Sequence, residues 1–359
     1  MSERGAGALR TTMEDPFGRE REAVVLRVAD DAGAVGWGEA SPLTGYSPDA
    51  LDEVEAGLDD WAARWERGEI GETDDVGDDP ALDDAVARLP SARCAIDTAL
   101  FDLAARRLGV PLHARLLDFG RPERPVRRVP VAALASLPGI ARPGTPPGVG
   151  MATVADAVAG GYRTVKLKIG GDGGSEEAFA RELEALAEIR SAFPYLRLRL
   201  DVNGAWESDA ARTRLAELAR HIEPELVEQP VDARAMLDFG PAPVPLAGDE
   251  SVREPGAVER LAGACVAVVL KPMVLGGPRA CLRLAESAFA EGMQVIVSHT
   301  FGGPVAHAAA CELALALAAL DPASVPPAAG LAGHDELPQR AGPWIVPAGV
   351  DGHGVEGPW

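Results

Sequence analysis

Spacing of apolar and polar positions divides the chain into three zones. In the first, REAVVLRVADDAGAVGWGEASPL (21–43) reads as two strands joined by a turn at Asp30–Gly33. Helical spacing follows in PSARCAIDTALFDLAARRLG (90–109). There Ala95, Ala99, Leu100, Leu103 and Leu108 form an apolar stripe, and Gly109 supplies a stop. The second zone alternates strand and helix patterns. Strands are expected at 127–135, 163–169, 196–202, 225–230, 244–248, 266–271 and 293–298. Between them, after a Pro/Gly-rich loop at 136–150, come a short helix ending near Gly160 and helical stretches at 175–193, 208–221, 233–239, 254–263 and 278–291, with a last one at 303–320. Repeated units of this length imply parallel strands with crossover helices, closing into a barrel in preference to an open sheet. From about 321 onward the chain is rich in Pro and Gly, carries little pattern and is expected to run back over the first zone.

One strand breaks the rule for buried strands. TVKLKIGG (164–171) has Val165, Leu167 and Ile169 on one face but Lys166 and Lys168 on the other. Two neighbouring ammonium groups repel each other, and burying either without a partner is costly. The ends of the following strands supply compensation. LRLRLDVNGAW ends in Asp201 and Asn203, ELVEQPV in Glu228 and Gln229, and PLAGDESV in Asp249 and Glu250. VAVVLKPMVLGG then ends in Lys271, and MQVIVSHTFGG in Ser298, His299 and Thr300. Functional groups of a closed barrel come from these C-terminal strand ends.

Taken singly, each residue has a bland role. Asp201 suits a helix cap or a loop hydrogen bond, Lys271 a snorkelling surface group, and Asp249-Glu250-Ser251 a cap for the next helix. In order, at the ends of consecutive strands, they describe one rim. Three carboxylates without His or Cys suit a hard divalent cation, above all Mg²⁺, with Mn²⁺ as the alternative. A lysine on either side suggests proton transfer at a carbon next to a carboxylate. Lys168 is the better base because it lies nearer the strand's catalytic end. Lys166 either tunes Lys168 by repulsion or serves as a structural ion pair.

Bulk properties narrow the partners. Apolar residues make up 47% of 359 positions, ample for a packed interior. The formal net charge of −21 argues against nucleic acid or an anionic membrane and says nothing specific about substrate; the expected partner, a small-molecule carboxylate, comes from the strand-end chemistry. Much of the acid lies in ERGEIGETDDVGDDPALDD (66–84), read as a solvated loop and helix start. The four cysteines, Cys94, Cys265, Cys281 and Cys311, show no metal-ligand spacing and fit packed or half-exposed thiols in a reducing cytoplasm. The first residues lack the apolar core of a signal peptide, and VAHAAACELALALAAL (305–320) is too short to span a membrane. Oligomeric state leaves no mark in the sequence.

KLKIG, DVNGAW, VEQPV, GDES and LKPMVLGG resemble, in order, the barrel motifs of the muconate lactonizing enzyme subgroup of the enolase superfamily. AIDTALFDLAARRLGVPLHARLL resembles that subgroup's capping-domain signature. The resemblance implies an α/β fold: a modified TIM barrel, (β/α)₇β, over 126–325, with an N-terminal α+β capping domain over 1–125. A C-terminal segment, 326–359, would return to the cap. It further implies Asp201, Glu228 and Asp249 as Mg²⁺ ligands and Lys168 and Lys271 as the acid/base pair, Lys166 supporting.

Within the subgroup, GWGEASPLTGYSPDALDE (36–53) and PAAGLAGHDEL (327–337) resemble the o-succinylbenzoate synthase family. These enzymes dehydrate 2-succinyl-6-hydroxy-2,4-cyclohexadiene-1-carboxylate in menaquinone biosynthesis, by syn elimination of water through an enediolate. The resemblance implies that Lys168 takes the α-proton and then protonates the departing hydroxide, while Lys271 stays charged against the ring. It places capping loops at 11–20 and 43–48, with Gly45 and Tyr46 as substrate contacts beside Asn203, Ser298 and Thr300. The N-terminus of the helix near 303 is expected to hold the succinyl carboxylate. SHTFGGP departs from the serine-rich sequence of the best-known members. Competing readings are an N-succinylamino acid racemase, a dipeptide epimerase, a muconate cycloisomerase, or a catalytically inactive binding scaffold. Residues 293–331 contain no Asp-x-Asp of the kind dipeptide epimerases use for the substrate ammonium. All five residues whose loss would mark an inactive scaffold are present.

Overall fold

The computed structural model describes residues 5–14, 20–70, 84–117, 128–137, 153–321, 326–332, 342–347 and 349–355. Most of the acidic stretch 66–84, most of the Pro/Gly loop 136–150, and 333–337 of PAAGLAGHDEL lie outside the described residues.

The N-terminal region is an antiparallel sheet of β1 (Gly5–Glu14), β2 (Glu20–Ala29) and β3 (Val35–Ala40), in that order. Strand β1 was not legible in the sequence, because GAGALRTTME offers few large apolar side chains to mark a buried face. Residues 11–14, expected in a capping loop, pair with β2; 15–19 lie outside the described residues. Helices α1 (Leu51–Glu66) and α2 (Pro90–Leu108) cover the sheet, burying Trp61, Trp65, Ile96 and Leu103 against Val24, Leu26 and Val28. The glycines of VGWGEA permit this contact. A Cβ on Gly36 would stand 2.1 Å from the Ala99 carbonyl oxygen, and one on Gly38 1.8 Å from that of Ala95.

Seven parallel strands then follow in sequential order: β4 (Ala133–Ala135), β5 (Thr164–Lys168), β6 (Arg197–Asp201), β7 (Leu226–Glu228), β8 (Leu246–Gly248), β9 (Ala267–Leu270) and β10 (Gln294–Val297). The main crossover helices include α3 (Glu176–Ala192), α4 (Ser208–His221) and α5 (Pro278–Ala290), and α6 (Pro304–Leu320) follows the last strand. Residues 329–330 bridge both edges of this curled sheet. Ala329 donates to the Pro130 carbonyl (2.8 Å) and Gly330 to that of Val297 (2.8 Å), with parallel bridges to Val131 and Ser298. The fold is therefore an α/β barrel of the (β/α)₇β kind with an N-terminal α+β cap.

Strand pleating sorts the barrel's side chains. Val165, Leu167, Leu198, Leu200, Val268 and Leu270 face outward into the large core shared with the helices. Inward, Leu226, Ala247, Ala267, Val269 and Ile296 form a separate small cluster. One pleat further along the same faces stand Glu228, Asp249, Lys271 and Ser298. An inward apolar layer thus carries a polar layer at the strands' C-terminal ends.

Candidate active site

Register builds the site. Lys168 lies opposite Asp201, and Asp201 opposite Glu228, in adjacent strands. Glu228 pairs with Ala247, and Asp249 stands two residues beyond on the same face. Lys271 follows β9 in the same sense and closes the row.

A cavity of about 570 Å³ opens over this row. Its walls include Lys166, Lys168, Asp201 and Lys271, and all the expected substrate contacts: Gly45, Tyr46, Asn203, Ser298 and Thr300. Glu228 and Asp249, each 3% exposed, are buried behind the wall lysines Lys166 and Lys271 that pair with them. Lys166 Nζ lies 2.6 Å from Glu228 Oε1 and 2.8 Å from Asp201 Oδ2. Lys271 is ion-paired with Asp249 and donates to Tyr46 Oη at 2.8 Å. The tyrosine hydroxyl in turn donates to Asp249 Oδ1 (3.2 Å), so the 43–47 turn of the cap reaches the floor of the barrel. Gln229 steadies the Asp249 loop, its Oε1 accepting from Asp249 N (2.9 Å) and from Ser251 Oγ (2.9 Å).

One ammonium between two carboxylates cannot neutralise both. Burial would raise Asp201, but Lys166, Lys168 and Lys271 outweigh it and hold this carboxyl near about 2. Glu228 is pushed up to about 8 by burial, with Asp201 and Asp249 adding repulsion that Lys166 does not fully offset. Burial works against the ammonium forms of Lys166 and Lys271, yet their carboxylate neighbours keep both pKa values above the ordinary lysine range. Glu250 is raised by burial and by Asp249; its Oε1 accepts from Asn203 Nδ2 (3.2 Å), while the buried Oε2 has no partner. Thr300 Oγ1 is also buried without one.

Three carboxylates on one floor present only oxygen, the donor chemistry of a hard divalent cation. Among the described residues, no group of three or more His, Cys, Asp or Glu side chains is spaced to hold a metal ion. The cause is visible: Lys166 sits between Asp201 and Glu228, and Lys271 on Asp249. The donor set fits a cation that takes over the charge these ammonium groups now neutralise.

One expectation fails. The N-terminus of α6 is occupied by a carboxylate of the chain itself: Glu39 accepts from Gly303 N (2.5 Å) and Ala306 N (3.1 Å). The anion-binding property of a helix start is used here to dock the cap. Conversely, Arg253 lines the cavity unforeseen. It ends the one-turn 3₁₀ helix Glu250–Arg253, and its place just after the strand-end carboxylates was the available signal. Leu134 and Phe301 add apolar wall that periodicity could not distinguish from core.

Comparison with known proteins defines the class. Residues 150–356 match the model "Enolase C-terminal domain-like", and residues 11–117 match "Mandelate racemase / muconate lactonizing enzyme, N-terminal domain". The chain belongs to this family of the enolase superfamily. An o-succinylbenzoate synthase of Thermobifida fusca is 42% identical over 195 residues, covering 52% of this chain and 57% of the relative. An L-Ala-D/L-Glu epimerase of Clostridium acetobutylicum is 29% identical, covering 82% and 78%. Among solved structures, a dipeptide epimerase of Methylococcus capsulatus complexed with Mg ion superposes with a TM-score of 0.68 at 26% identity, over 87% of each chain. Among the described residues no helix is long and apolar enough to cross a membrane.

Proposed function

We propose that the protein is an o-succinylbenzoate synthase, which removes water from 2-succinyl-6-hydroxy-2,4-cyclohexadiene-1-carboxylate. The reading rests on one observation above the others: Lys168 and Lys271, from strands on either side of the carboxylate row, line the same cavity. The 42% identity with the Thermobifida fusca synthase supports this choice among the superfamily's reactions. In this reading Asp201, Glu228 and Asp249 would hold Mg²⁺, or Mn²⁺ in its place. Once bound, the cation offsets the second negative charge that develops on the substrate carboxylate as the α-proton leaves.

The chain's own residues carry the proton. Lys168 Nζ, as the free amine, takes the hydrogen from the carbon bearing the carboxylate. The electron pair left behind forms the new ring double bond as the carbon–hydroxyl bond breaks. The Lys168 ammonium then gives the proton to the departing hydroxide, which leaves as water. Lys271, as the ammonium, stands over the electron-rich ring. Lys166 keeps Asp201 and Glu228 from repelling each other. Aromaticity of the product favours the elimination, so placement of the lysines is the main demand. The protein would act as a cytoplasmic enzyme.

A second reading, epimerisation of a dipeptide or racemisation of an N-succinylamino acid, is favoured by the longer match to the Clostridium acetobutylicum epimerase. Ultraviolet detection of o-succinylbenzoate formation separates the two. Turnover that vanishes with EDTA and in Lys168→Ala is the expected result. No turnover from folded, Mg²⁺-supplied protein, together with deuterium exchange at the α-carbon of N-succinylamino acids or dipeptides, would replace the synthase by the second reading.

A further inference from the structure

We infer that Arg253 is the subsite for a second carboxylate of the substrate, remote from the one at the reacting carbon. The inference rests on the proposed reaction class for the identity of the diacid, and on geometry for the site. Arg253 lines the cavity and lies against the cap, its guanidinium 4.2 Å from the Tyr46 ring centroid. One terminal nitrogen, Nη1, donates to the Tyr46 carbonyl at 3.0 Å. The other two, Nε and Nη2, are buried and have no hydrogen-bond partner, and among the described residues no carboxylate is ion-paired with this side chain. Those two nitrogens share one edge of the planar fork. That edge is the one that takes a carboxylate through two parallel hydrogen bonds.

Buried donors without an acceptor are rare in folded proteins and call for an explanation. Here an acceptor arriving through the cavity supplies it. The rival anion site, the N-terminus of α6, is filled by Glu39. The Tyr46 ring and carbonyl hold the guanidinium against the cap, so the subsite forms only where the 43–47 turn of the cap meets the barrel. Cap and barrel together thus read the length of the substrate.

The test is calorimetric binding, with Mg²⁺, of o-succinylbenzoate and of 2-butyrylbenzoate, which lacks the distal carboxylate. The wild-type protein should bind the diacid at least tenfold more tightly. Arg253→Met should lose that preference while binding the monoacid as the wild type does. Equal binding of the two by wild type, binding of neither, or an intact preference in Arg253→Met overturns the inference. Should the Met variant not fold, Arg253→Lys decides: a preference several-fold smaller supports the subsite, and an unchanged one overturns it. Turnover of the hydroxycyclohexadiene precursor is scored apart. Diacid preference without turnover keeps the subsite and removes the synthase reading; turnover without preference does the reverse.

Discussion

Two regions of this molecule bury charge, and they do so differently. In the cap and where it meets the barrel, three buried carboxylates are held largely by backbone donors. Asp102, fully buried, accepts from Trp37 N (3.0 Å), His353 N (2.8 Å) and Arg106 Nε (2.9 Å). Asp97 accepts from the backbone and side chain of Arg279 at 2.7 and 3.0 Å. Asp49 takes the amide and hydroxyl of Ser91. On the barrel floor, by contrast, carboxylates face other carboxylates and are held by flexible ammonium groups. Backbone donors make a seam permanent, whereas lysine partners can be exchanged. Replaceable compensation is what a site needs if a cation and a substrate are to enter it.

The comparison breaks most sharply at Lys168. Its replacement by Ala should lower kcat by a factor of about 10³ or more, without shifting the unfolding midpoint by more than a small surface change would. Steady-state kinetics beside circular dichroism checks both halves. Asp102→Ala should show the opposite pattern. Removing one acceptor strands the Trp37 and His353 amides and the Arg106 side chain, for a loss of about 3 kcal/mol in denaturant unfolding. Turnover per folded molecule should change little, because Asp102 lies away from the cavity walls.

A pH series sharpens the contrast further. The folded-state value of Glu228 is raised, to about 8, so folded protein holds a proton that the unfolded chain releases near the ordinary glutamate value. The contribution of Glu228 to the stability of cation-free protein should therefore be fully present below that ordinary value. It should fall as pH rises through about 8, at most by about 1.4 kcal/mol per pH unit. Glu228→Gln should flatten this slope, and Mg²⁺ should raise the unfolding midpoint more at pH 8.5 than at pH 6, because a ligating carboxylate must first lose its proton. Denaturant unfolding with MgCl₂ and with EDTA measures it; a slope of the opposite sign would refute it. The smallest effect is expected for Tyr46→Phe. It keeps the ring against Arg253 but removes the hydroxyl between Lys271 and Asp249, worth about 1 kcal/mol, or several-fold in kcat/KM.

Much of this architecture was legible in the chain itself. Seven strand patterns match the seven parallel strands in order, and strand-end residues from Lys168 and Asp201 to Lys271 and Ser298 line one cavity, with Glu228 and Asp249 buried beside it. That legibility has a plain source. Period-two alternation decides which face a strand residue occupies, and parallel pairing of consecutive strands carries the same face to the same end. Lys166 and Lys168 among apolar neighbours announced an interior that had to be polar at one end. Strand β1 escaped because its small residues carry no strong alternation.

What the sequence could not decide is which groups meet across long separations. Glu39 lies 264 residues from Gly303, yet it fills the helix start that local pattern offered to substrate. Arg253 is 207 residues from Tyr46, and nothing near either one predicts their stacking. Lys166 had two readings until its place between Asp201 and Glu228 was seen. Periodicity is a local property and orders a face. Partnership depends on sheet curvature, on the seating of the cap and on the closure made by Ala329 and Gly330, which only the folded chain sets.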